Sequence, residues 1–152
     1  MQTQVMFYVL PENKAESTDT NMSSEIQQAC IQASYFYRQG HKVFIFCQDK
    51  DHAENVDEVL WAFDTDSFVP HNLAGEGPKQ GSPVEISYQA PTSRRSVLIN
   101  LSKDMPNFAN RFNFIVDFVP TDSTLKQQAR ERFKTCRQWG FHVESQAIVE
   151  NS

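Results

Sequence analysis

Apolar residues follow two rhythms along this chain. Val5-Met6-Phe7-Tyr8-Val9-Leu10 is an unbroken β-branched and aromatic run stopped by Pro11, which predicts a buried first strand. Glu12 to Thr20 is polar and reads as a loop. From Met22 to Gln39 the rhythm changes: Ile26, Ala29, Cys30, Ala33 and Tyr37 recur at helical spacing, and Gly40 stands where a C-cap is expected. Val43-Phe44-Ile45-Phe46-Cys47 is apolar on both faces, as in a central parallel strand covered by helices. Asp49 can then cap a second helix that runs to about Ala62 on Ala53, Val56 and Leu60.

Between Phe63 and Pro83 both rhythms stop, because Pro70, Gly75, Gly77, Pro78, Gly81 and Pro83 prevent a long regular element. A loop of that length is more often functional than a plain connector. Short strands are predicted at Val84–Tyr88 and Val97–Leu101, a brief helix at Asn107–Arg111, and a strand at Phe112–Val119 ended by Pro120. Thr121 or Asp122 can cap a last long helix to Trp139, after which Gly140 turns the chain into a final strand, Phe141–Ile148. The succession predicts one α/β domain over residues 1–152: an open, mostly parallel, Rossmann-like sheet with helices on both faces and a long loop at about 63–83.

Composition fits that picture, with 152 residues, 39% of them hydrophobic and 22% charged, a soluble globular pattern. A net charge of −5 argues against a protein that wraps nucleic acid without regard to sequence, since such binding needs Lys and Arg to displace counterions from phosphates. A local basic patch stays open. Cys30, Cys47 and Cys136 are odd in number and far apart, so they build neither a disulfide framework nor a metal knuckle and suit a reducing cytoplasm. The first ten residues lack a basic n-region, and no stretch of about 18 apolar residues occurs, so neither secretion nor membrane spanning is expected.

Catalytic motifs are thin. The loop Ala74 to Gly81 fits neither G-x-G-x-x-G nor the P-loop, and it leads to a strand rather than to a helix N-terminus that could receive an anion. Cys47 ends a strand before a helix, yet Asp49 and Asp51 would disfavour its thiolate, and a buried structural thiol is the better reading. His41, His52, His71 and His142 show no metal-ligand spacing. No cofactor is expected.

Charge is more telling. Asp49 to Asp66 holds seven acids, Asp49, Asp51, Glu54, Asp57, Glu58, Asp64 and Asp66, against Lys50 alone. Lys126 to Arg137 reverses the balance, with Lys126, Arg130, Arg132, Lys134 and Arg137 against Glu131. At about 100° per residue, Leu125, Ala129, Cys136 and Trp139 form the expected core stripe of the last helix. Lys126, Arg130, Lys134 and Arg137 share another face, with Phe133 at its edge. That face is either solvated or a site for an acidic peptide with an apolar end, and the aromatic among cations favours the peptide. Trp61, Phe63, Phe68, Val69 and Pro70 gather at a helix end and in a loop, where they either cap the core or form a protein-binding hot spot.

These residues resemble those of a known family. The run Ser67 to Pro78 (SFVPHNLAGEGP), with Asp57 to Ala62 (DEVLWA), Val116 to Pro120 (VDFVP), Leu125 to Lys134 (LKQQARERFK) and Phe7-Tyr8, is similar over nearly the whole chain to the chi subunit of bacterial DNA polymerase III, a clamp-loader accessory protein. The resemblance implies a Rossmann-like sheet without bound nucleotide and a non-catalytic, cytoplasmic subunit of a DNA-directed DNA polymerase, a nucleotidyltransferase complex. Two protein contacts are implied: the psi subunit, and the acidic C-terminal tail of single-stranded-DNA-binding protein, which makes contact with DNA indirect. The tail site carries over to Lys126, Arg130, Phe133 and Lys134, beside Arg137 on the same face. The family often has Tyr where this chain has Phe133. The psi site carries over to Trp61, Phe63, Phe68, Val69 and Pro70. The competing expectation is a nucleotide- or small-molecule-dependent α/β enzyme that uses the Gly75 to Gly81 loop.

Overall fold

Both rhythms become elements in the computed structural model, which describes residues 2–11, 24–63, 69–76 and 82–148. The strands are β1 (Gln4–Val9), β2 (Val43–Phe46), β3 (His71–Leu73), β4 (Val84–Ser87), β5 (Val97–Asn100), β6 (Phe114–Val119) and β7 (His142–Ala147). The helices are α1 (Ser24–Arg38), α2 (Lys50–Phe63) and α3 (Ser123–Gln138), with a single 3-10 turn at Ala109–Arg111. The strands form one seven-stranded sheet in the order β3-β4-β2-β5-β6-β1-β7, and every pairing is parallel. An open α/β sheet was the expectation.

Each central strand is buried on both faces, so its residues divide between two cores by the period-two alternation of side chains. Val43 and Ile45 of β2 join α1 and α2 through Ile26, Ala29, Val56 and Leu60. Phe44 of the same strand points the other way, to Val5, Phe7, Phe108, Phe112 and Cys136. Helices α1 and α2 therefore cover one face and α3 the other. Gly40 and Gly140 follow α1 and α3 at φ +86° and +81°. There the chain must enter left-handed space to leave the helix, and Phe141 N–H donates back to the Cys136 carbonyl at 3.1 Å.

The stretch from 63 to 83 is not all loop. His71, Asn72 and Leu73 pair with Val84, Glu85 and Ile86 as the outermost strand beside β4. Three residues between Pro70 and Gly75 carry no periodic signal, and this strand exists because β4 offers it a ladder.

Candidate docking surfaces

Helix α3 begins at Asp122, whose carboxylate accepts the Leu125 N–H at 3.0 Å, as the sequence predicts for a capping residue. Its core stripe differs from the expected one. Leu125 and Trp139 are 39% and 44% exposed, whereas Ala129, Arg132 and Cys136 are buried. Leu125 and Trp139 stand at the two ends of the helix, and Arg132 takes the middle of the stripe, where an acid waits for it inside. Asp117 lies in the middle of β6, and Arg132 donates to it from Nε at 2.8 Å and from Nη2 at 3.0 Å. Two further bonds from the guanidinium reach the carbonyls of Lys103 and Phe118 at 2.9 and 3.1 Å. Asn100 Nδ2 and the Phe118 N–H also donate to Asp117, at 3.3 and 2.6 Å. Burial pushes the Asp117 carboxyl up, and the Arg132 charge pulls it back. The pair locks α3 to the sheet.

With Arg132 turned inward, the opposite flank of the helix is free for other work. Arg130, Lys134 and Arg137 are exposed and Lys126 is half-buried. Among the described residues no carboxylate stands within ion-pair distance of any of the four. Glu131 points elsewhere, accepting from Gln127 Nε2 at 3.1 Å. Phe133 is half-buried at the edge of this cationic face, its ring 5.2 Å from that of Phe7 and packed on the second core. The structure thus brings together all five residues that the sequence groups here. A rigid ring beside uncompensated cations is suited to hold a peptide that ends in a carboxylate and an apolar side chain.

The second surface lies at the exit of α2. Trp61 is 57% exposed, and its ring meets the His71 ring edge-on with centroids 4.8 Å apart. His71 is itself fixed, with Nδ1 2.7 Å from the Val69 carbonyl and Nε2 3.4 Å from Asp57 Oδ1. Pro70 is half-buried beside them. Val69 is buried and Phe63 packs against the first core, so both serve the interior. Phe68 lies outside the described residues. Of the five residues grouped here, Trp61 and Pro70 reach the surface and two others support it from below.

Other chemistry is muted. Burial pushes the thiols of Cys30, Cys47 and Cys136 up to about 12, with Asp49 adding to the effect at Cys47. Cys47 is fully buried, in keeping with the structural reading. Among the described residues no three His, Cys, Asp or Glu side chains converge as a metal site would need, and no helix is long and apolar enough to cross a membrane. Gly77 to Gly81 of the glycine loop lie outside the described residues. A crevice of about 400 Å³ opens at the carboxyl ends of β2, β5 and β6 between Gln48, Ser102, Lys103 and Gln128. Open α/β sheets carry ligands at such places, and no motif in the chain announces this one.

Comparison with known proteins adds the following. The family model described as "DNA polymerase III chi subunit, HolC" matches residues 1–144. The DNA polymerase III subunit chi of Escherichia coli K12 is 45% identical over 139 residues, covering 90% of this chain and 92% of that protein. Its counterparts from Haemophilus influenzae and Pseudomonas aeruginosa are 40% and 31% identical, covering 93% and 96% of this chain and 95% and 97% of theirs. The crystal structure of T4 UvsW matches with a TM-score of 0.61 at 9% identity, covering 97% of this chain and 41% of that one, a likeness of fold alone.

Proposed function

The chain belongs to the DNA polymerase III chi subunit family, and from that membership we propose that it is a non-catalytic bridge in the replicative polymerase. In this reading the exit of α2, with Trp61 and the Phe68 to Pro70 segment, holds the psi subunit of the clamp loader. The cationic flank of α3 captures the acidic C-terminal tail of single-stranded-DNA-binding protein in the cytoplasm. The observation that carries the reading is α3 itself: Lys126, Arg130, Lys134 and Arg137 stand without carboxylate partners among the described residues, on a flank that Phe133 borders. Arg130 and its neighbours would take the carboxylates, and Phe133 would wall the terminal apolar side chain.

Calorimetric titration with an acidic peptide ending in Phe tests this. Arg130→Ala should weaken binding by roughly one to two decades, the worth of about 1.5–3 kcal/mol for a charge-assisted contact. Phe133→Tyr should keep binding and Phe133→Ala should lose it. Affinity should also fall as salt rises. Unchanged affinity in folded Arg130→Ala protein would refute the tail site. In thermal-shift measurements nucleotides should leave the melting temperature where it is, while the peptide raises it; a shift with ATP would favour the enzyme reading instead.

A further inference from the structure

Four of the chain's 14 Lys and Arg residues meet at the amino ends of the strands, none of them on α3. Lys42 precedes β2, Arg94 and Arg95 precede β5, and Arg111 and Asn113 precede β6. Together with Ser96 they line a cleft of about 280 Å³ that no Asp or Glu lines. Lys42, Arg94 and Arg111 are exposed, and among the described residues none has a carboxylate within ion-pair distance.

Arg95 forms the buried wall. It is 4% exposed, donates from Nη1 to the Val43 and Pro83 carbonyls at 3.1 Å each, and meets Glu85 through Nη2 at 3.3 Å. Its Nε–H has no hydrogen-bond partner among the described residues. The frame that carries the cations is tied together by backbone bonds. Ser96 and Val97 donate to the Lys42 carbonyl, and Asn113 and Phe114 donate to that of Ser96, at 3.0 to 3.2 Å. The cleft is thereby framed by backbone tied across the amino ends of β2, β5 and β6.

Glu85 compensates Arg95, but among the described residues no acid stands beside Lys42, Arg94 or Arg111. Like charges gathered in one cleft repel, and the repulsion is relieved when an anion joins them. Guanidinium forks match the oxygens of phosphate. No aromatic or large apolar side chain lines the cleft, so it offers no surface on which a base could stack. A nucleotide would find a home for its phosphates alone. We propose that this cleft grips the phosphodiester backbone of a nucleic-acid strand without regard to sequence. The net charge of −5 keeps such binding local and modest, which reconciles it with the composition.

The test is fluorescence anisotropy of a labelled oligothymidylate with the full chain. Three phosphate contacts, from Lys42, Arg94 and Arg111, predict a fall in affinity of about 20-fold between ~50 and ~200 mM salt, at a slope of about −0.7 per contact for a single strand. Arg94→Ala with Arg111→Ala should bind more weakly and fall only about threefold over the same range. Lys42→Ala alone should lose one contact from the slope, and Lys50→Ala, at an exposed cation outside the cleft, should behave as the wild type. Circular dichroism checks each variant, and the single Lys42 variant carries the test if the double one misfolds. Absence of oligonucleotide binding, or an unaltered salt slope in the folded variants, would overturn the proposal. So would displacement of the strand by ATP or inorganic phosphate at equal phosphate concentration, which would mark a nucleotide or free-phosphate site.

Discussion

Arg132 is inside the molecule and Arg130 outside it, although they stand two positions apart on one helix. The difference was partly legible in the sequence. Asp117 interrupts an apolar strand, and Arg132 sits three residues after Ala129 and four before Cys136, on the buried stripe; a lone acid and a lone base at such positions are a signal for each other. The expected stripe puts Leu125 and Trp139 in the core, and the structure leaves them 39% and 44% exposed. The energetics should follow the burial. Arg132→Ala leaves the Asp117 carboxylate without its counter-charge and should cost about 3–5 kcal/mol in urea unfolding. Arg130→Ala should change stability by no more than about 0.5 kcal/mol. Equal effects would mean that the network does not anchor α3. The thiols are a second residue-scale case. With values pushed up to about 12 and full burial, Cys30, Cys47 and Cys136 should resist a thiol reagent in the native protein at mild alkaline pH and should all react once it is unfolded. Rapid native labelling of Cys47 would contradict its structural role.

The elements were legible where a local rule fixes them. Periodicity located α1, α2 and α3, Asp49 and Asp122 marked the starts of α2 and α3, and the doubly apolar run of β2 marked a central parallel strand. Strand β3 was not legible, because three residues cannot show a period and their pairing is decided by β4, which comes later in the chain. The second surface suffers from the same cause: His71 positions the Trp61 ring only because β3 exists. Capping can be tested directly. Asp122→Ala removes the acceptor for the Leu125 N–H and should destabilise the protein by about 1 kcal/mol, read from the urea midpoint. The tail-peptide affinity of this variant should stay near that of the wild type, since the stripe and the Arg132 lock hold α3 in place.

Across the whole molecule the two candidate surfaces are well separated. Helix α2 packs against β3 and β4 at one end of the sheet, whereas α3 packs against β6 and β7 near the other end and on the opposite face. From β4 to β6 is three strand spacings, roughly 14 Å, before the sheet's thickness is added. A bridge needs that separation, because each partner must bind without meeting the other. Trp61→Ala combined with Phe68→Ala should release psi, since losing aromatic anchors at a hot spot commonly costs at least about 2 kcal/mol. Trp61 is exposed, so its replacement should leave the fold intact. A bridge must hold both partners at once, which is measured by titrating the Phe-terminated acidic peptide into the free chain and into its preformed complex with psi. The affinity should be the same, with one peptide per chain, in both cases; release of psi by the peptide, or exclusion of the peptide by psi, would show that the chain is no bridge.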